Sequence, residues 1–202
     1  MSERVYTWPE AFREFAEKGI PLGEVFSQRR YIPLREQFIA SIFTCAISKG
    51  TRRTDWYFKA VEADNTPDFE LWCAKEPEKA YKIENVQVPQ RALSEDKDIS
   101  GQVYNFLVNK KLNPKKYNYP RSYILCAYLR FNGLFNFSEL HNKFQNSPPP
   151  SFGEIWILAA TKELSTWHCE VVWPGSQKEK IDLKEEFKKL GKTLIIKSVE
   201  KH

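Results

Sequence analysis

The patterning of this chain predicts an α/β fold, with a mixed central sheet flanked by helices. Three observations carry that prediction. Helix-period and strand-period apolar segments alternate along the chain, and Gly or Pro marks many of the boundaries between them. One run, Tyr123 to Leu129, is apolar at nearly every position, as a central strand buried on both faces requires.

The elements follow in order. Residues 9–18 open on Pro9, stop at Gly19 and place Phe12, Phe15 and Ala16 on one helical stripe. Glu24 to Tyr31 is ambiguous. After Pro33, LREQFIASIFTCAISK predicts a largely buried helix on Leu34, Phe38, Ile42, Cys45 and Ala46, ended by Gly50. Three strands are then expected: Asp55 to Val61, Asp68 to Ala74 and Tyr81 to Val88, the last stopped by Pro89. The Asp64-Asn65-Thr66-Pro67 cluster is a turn between the first two.

Residues 101–112 read as a helix with Val103, Phe106 and Leu107 inward, and Tyr123 to Leu129 as the buried strand. Ser138 would cap a short helix to Asn146. Beyond the stiff Pro148-Pro149-Pro150 come strands Glu154 to Ala160 and Trp167 to Trp173, a helix from Ile181 to Leu190, and a last strand from Thr193 to Val199. The organisation predicted is an N-terminal helical segment, 1–33, and an α/β domain, 34–202, with an α/β extension from about residue 138.

Composition narrows the class. The 202 residues hold one full core, and 42% hydrophobic with 28% charged residues is ordinary globular usage. A net charge of +5 permits a polyanionic partner without demanding one. Cys45, Cys73, Cys126 and Cys169 lie far apart in apolar runs, as buried reduced thiols do, and His141, His168 and His202 do not cluster with them, which argues against zinc. No apolar run reaches the ~18 residues of a membrane span and no secretory leader is visible, so a soluble, cytoplasmic protein is expected. A GxxxxGK[ST] phosphate loop is absent, and His168 and Cys169 as strand neighbours would face opposite ways, which removes nucleotide triphosphate and Cys-His chemistry.

The residues that carry chemistry are Pro67-Asp68 at the mouth of the second expected strand and Glu84 in the third. Mg²⁺ prefers oxygen ligands and keeps several waters, so two carboxylates on adjacent strands suffice to hold it. With the helix-strand-strand-strand-helix-strand order from Leu34 to Arg130, these residues resemble the PD-(D/E)XK, or restriction-endonuclease-like, nuclease superfamily over roughly half the chain. The resemblance implies an αβββαβ core and metal-dependent DNA phosphodiester hydrolysis with Mg²⁺ or Mn²⁺. It implies metal ligation by Asp68 and Glu84 and assistance from Glu36 on the first core helix.

The lysine that the family carries two residues beyond the second acid is missing here. A bulge near Glu84 or Asn85 would put Glu84 and Gln87 on one polar side, with Gln87 in the lysine position. Alternatively Asn85 and Gln87 replace acid and lysine, or Lys82 serves as a displaced lysine. Glutamine can orient water but carries no charge. Glu70, on the face of Asp68, is a further candidate ligand or a solvent-facing strand residue.

DNA is the expected partner. Its candidate contacts are Arg52 and Arg53 before the first strand and the run Lys110 to Arg121 after the second helix, where Lys110, Lys111, Lys115 and Lys116 neutralise phosphates and Tyr117 and Tyr119 offer stacking faces. The alternative is a nuclease fold without catalysis that binds nucleic acid or a protein partner, with Trp156, Trp167 and Trp173 on an extended sheet or partner surface. A homodimer is compatible with either.

Overall fold

The computed structural model describes residues 4–61, 67–90, 93, 98–113, 119–130, 135–161 and 163–196. Its eight described strands form a single sheet whose spatial order follows the chain: β1 (Val5–Tyr6), β2 (Trp56–Ala60), β3 (Phe69–Cys73), β4 (Glu76–Val88), β5 (Tyr123–Arg130), β6 (Glu154–Ala160), β7 (Thr166–Trp173) and β8 (Lys178–Asp182). β1 to β4 pair antiparallel, β4, β5 and β6 are parallel, and β6 to β8 return to antiparallel pairing. Parallel neighbours need a crossover. Accordingly α4 (Ile99–Leu107) with a π turn (Val108–Leu112) lies between β4 and β5, and α5 (Phe137–Gln145) between β5 and β6.

The sheet is buried from both sides by two separate cores. On one face α1 (Trp8–Glu17), α2 (Leu22–Ser27), α3 (Ile32–Thr51) and α6 (Leu183–Lys189) supply an aromatic-rich core around Phe12, Phe38, Phe43 and Phe187. On the other, Val103, Leu107, Leu140 and Phe144 from α4 and α5 pack on the sheet. β5 serves both cores by strict alternation, with Ile124, Cys126 and Tyr128 in the first and Leu125, Ala127 and Leu129 in the second. The continuous apolar run seen in the sequence is this double burial.

The element order α3, β2, β3, β4, α4, β5 is the αβββαβ core expected. The N-terminal segment does not stand apart as a helical unit. β1 adds a strand beside β2, and Ala11, Phe12, Phe15, Leu22, Val25 and Phe26 join the core of the sheet. The C-terminal extension likewise continues the same sheet through β6 to β8.

Several local expectations are corrected. α3 runs through Gly50 to Thr51 and is closed by Arg52 in the left-handed region, φ 53°. α5 is capped by Asn136, whose side chain accepts from Glu139 N at 3.1 Å, and not by Ser138. Ile181 lies in β8, because Asp182 caps α6 by accepting from the Lys184 and Glu185 amides. Residues 193–196 form no strand, and 197–199 of that expected strand lie outside the described residues. Trp156 and Trp167 are fully buried, so they build the core and offer no partner surface.

Candidate functional site

The site grows from the place where β3 begins. Phe69 and Ile83 are the last pair of the ladder, and Asp68 N donates to the same Ile83 carbonyl at 3.0 Å. Pro67 comes before Asp68 and has no N–H to carry the ladder further. Pairing stops there, and Asp68 Oδ2 accepts the Asn85 N–H in a short hydrogen bond that replaces the lost rung. The Pro-Asp dipeptide thus ends one ladder and hangs a carboxylate over the open fork.

β4 carries no bulge in this region. It pairs residue for residue with β5 from Lys82–Tyr123 to Val88–Leu129. Strict alternation therefore holds: Glu84, Val86 and Val88 face α4, while Ile83, Asn85 and Gln87 face α3. This corrects the shared polar side expected for Glu84 and Gln87. Gln87 is exposed, on the opposite face, and does not stand beside Glu84.

Beside Glu84 stands Lys111. Its Nζ donates to Glu84 Oε1 in a short contact from the π turn that follows α4, and Tyr119 OH donates to the same oxygen at 3.0 Å. The Tyr119 ring is fixed against Phe152, centroids 4.6 Å apart. A π turn bonds i to i+5 and so changes the direction in which Lys111 leaves the helix. The Glu84 side chain is 5% exposed and that of Lys111 20%, so this is a largely buried ion pair, stabilised by the hydroxyl. Burial opposes the charge of Lys111, but the hydrogen bond and charge of Glu84 outweigh it and its pKa is raised. Burial and the Glu84 charge also push the Tyr119 phenol up. Glu84 Oε2 is buried without a hydrogen-bond partner among the described residues.

Asp68 is in the opposite electrostatic state. Burial pushes its pKa from 3.8 up to about 6. The Asn85 N–H pulls it back, the negative charges of Glu84 and Glu36 add to the rise, and Lys111 offsets part of it. Glu36, near the start of α3, is half-buried, and its pKa is raised by burial and lowered partly by Arg35. Three acids and one lysine from four elements therefore share one electrostatic neighbourhood. Both polar atoms of the Asn85 side-chain amide are buried without a hydrogen-bond partner among the described residues.

The remaining expected residues separate into groups. Glu70 lies in β3 opposite Lys82. Arg53 is committed to Asp55, 3.2 Å away, and to Cys73 Sγ, while exposed Arg52 caps α3. Lys115, Lys116 and Tyr117 lie outside the described residues. Tyr119, expected as a base-stacking contact, instead holds Glu84. Lys111, expected as a nucleic-acid contact in a basic run, instead pairs with Glu84, 27 positions earlier, and nothing in its spacing announces that link.

Among the described residues no three His, Cys, Asp or Glu side chains form a ready metal cage. The Asp68–Glu84 pair still fits a hard dication on its own terms. Two oxygen donors stand on adjacent strands, one buried oxygen is unpartnered, and the Asp68 carboxylate lacks enough positive charge to stay ionised easily. No helix of the described residues is long and apolar enough to cross a membrane. No protein-family model, no curated protein and no solved structure matches this chain.

Proposed function

We propose that the chain is a metal-dependent hydrolase of DNA phosphodiester bonds centred on Asp68. The observation that carries the reading is that Asp68 sits at the mouth of β3 within the field of Glu84, Glu36 and Lys111, with Lys111 bonded to Glu84. Asp68 and Glu84 would hold Mg²⁺ or Mn²⁺, which when bound supplies positive charge at the phosphate and a more acidic water.

The chain's own residues provide the rest. Lys111 brings the cation that the third strand lacks, delivered from the π turn to the face of Glu84. Its ammonium can neutralise charge on a phosphate oxygen while Tyr119 keeps Glu84 oriented. Glu36 has a pKa raised by burial, the direction that suits a carboxylate for taking a proton near neutral pH. Asp68 must be ionised to act as a ligand, so in the free protein competence rises with pH through about 6. Gln87 belongs to the α3 side and is assigned no role with Glu84.

One observation favours a second reading. Glu84 Oε1 is already satisfied by Lys111 and Tyr119, and a self-compensated pair has no need of a metal. A non-catalytic module binding nucleic acid or a protein partner would look the same there. Thermal melts with Mg²⁺ or Mn²⁺ separate the two. Stabilisation of the wild type that disappears in Asp68→Asn supports the hydrolase, and identical melts with and without metal favour the binding module.

A further inference from the structure

A pocket of about 370 Å³ opens between α4, its π turn, α5 and the proline run, and shares no lining residue with the Asp68 site. That volume suits a small organic molecule. Its walls are apolar: Tyr104 from α4, Val108 and Leu112 from the π turn, Phe144 from α5, and Pro148 to Pro150, whose backbone is stiff. Val108 is half-buried yet belongs to neither hydrophobic core. The Tyr104 and Phe144 rings meet edge to face, centroids 5.1 Å apart. The Tyr104 hydroxyl donates to Ser147 Oγ at 2.6 Å, and that hydroxyl donates in turn to Lys143 O at 2.6 Å. The polar ends of this wall are therefore already bonded, and what it offers an occupant is apolar surface.

One charge stands on that lining. Arg121 is the single ionisable cation or acid among the described lining residues, apart from the Tyr104 phenol. Its guanidinium makes no hydrogen bond or ion pair with the described residues. The backbone that carries it is fixed. Tyr123 N donates to Pro120 O at 2.9 Å, closing a turn around Arg121 and Ser122. Gly153 packs against the same turn so closely that a Cβ there would lie 2.2 Å from Arg121 O. The Ser151 hydroxyl, also on the lining, is buried without a hydrogen-bond partner among the described residues.

We propose that this pocket binds a small aromatic acid, its ring against Val108, Leu112 and Phe144 and its anionic group on Arg121. An unpaired cation on an otherwise apolar lining selects an anion over a neutral molecule, and ring-built walls suit an aromatic body. The planar guanidinium takes a carboxylate or sulfonate through two parallel hydrogen bonds. The site stands independently of the hydrolase reading. Val108 and Leu112 are the two ends of the turn that carries Lys111, so an occupant also braces the segment that reaches Glu84.

The test is fluorescence of anilinonaphthalene sulfonate, an aromatic monoanion, titrated with the folded full chain. One saturable site is expected, and naphthoate should displace the dye better than the neutral naphthamide of similar shape. Val108→Phe grows a ring into the pocket and should weaken dye binding about tenfold. Arg121→Gln changes an exposed side chain and puts folding at no risk. It should weaken the dye and naphthoate about threefold to fivefold, leave naphthamide unchanged and flatten the salt dependence. Thermal melts establish that each variant is folded, and if Val108→Phe is not, Arg121→Gln decides alone. The assignment is overturned by folded wild type with no saturable site, by naphthamide competing as well as naphthoate, or by either folded variant binding the dye as tightly as wild type.

Discussion

Asp68, at the mouth of β3, and Glu84, in β4, carry opposite burdens. Glu84 is the more deeply buried, yet a lysine and a tyrosine hydroxyl meet its charge directly. Asp68 is less buried but has one backbone N–H for company and two other acids nearby, and its pKa rises to about 6. Burial alone does not decide the cost of a carboxylate. What decides it is whether a cation arrives with it. The paired acid is a structural investment, and the unpaired one is strain that a metal ion would relieve.

The comparison can be broken from the Glu84 side first, where the largest effect is expected. Lys111→Ala leaves a buried carboxylate with only a hydroxyl, and should destabilise the protein by about 2–4 kcal/mol in urea unfolding. The double variant Glu84→Gln with Lys111→Met removes both charges and should recover more than half of that loss. If the single variant costs nothing, the ion pair is not the closed unit described.

From the Asp68 side the sign reverses. Folding raises this pKa from 3.8 to about 6, so the native state binds the proton more tightly than the unfolded chain. The favourable contribution is full below about pH 4 and is lost as pH climbs through about 6, a penalty of up to about 3 kcal/mol above that. In chelator, Asp68→Asn should therefore be more stable than wild type at pH 8, with the gap closing toward pH 4. Asparagine keeps an oxygen for the Asn85 N–H, so the comparison isolates charge. A destabilised Asp68→Asn at pH 8 would show that the hydrogen bond matters more than the charge.

Tyr119→Phe sharpens the picture with a smaller effect. It deletes one hydrogen bond to a carboxylate that keeps its lysine, and about 1 kcal/mol of lost stability is expected in the same unfolding assay.

How much of this was legible in the residues depends on how local each signal is. Tyr123 to Leu129 announced a doubly buried strand because each position's apolarity is its own evidence, and the long helix after Pro33 did so through a repeated stripe. Ile181 misled because it is apolar in phase with both β8 and α6, and Asp182, the cap that divides them, was passed over. Pro67-Asp68 and Glu84 were visible as residues, and the β3–β4 hairpin brings their strands together. The expected bulge failed because β5 pins β4 over seven consecutive pairs, a constraint set by a strand some forty residues downstream. Lys111 was hidden for the same reason: only the crossover and the π turn bring it to Glu84.

The most direct measurement is cleavage of single-stranded DNA and nicking of supercoiled plasmid, with Mg²⁺ or Mn²⁺ and with chelator, for wild type and Asp68→Asn. The account predicts metal-dependent cleavage by the wild type, rising in rate with pH through about 6 and abolished in Asp68→Asn. Folded wild type that leaves both substrates intact with either metal, or Asp68→Asn that cleaves as well as wild type, would contradict it.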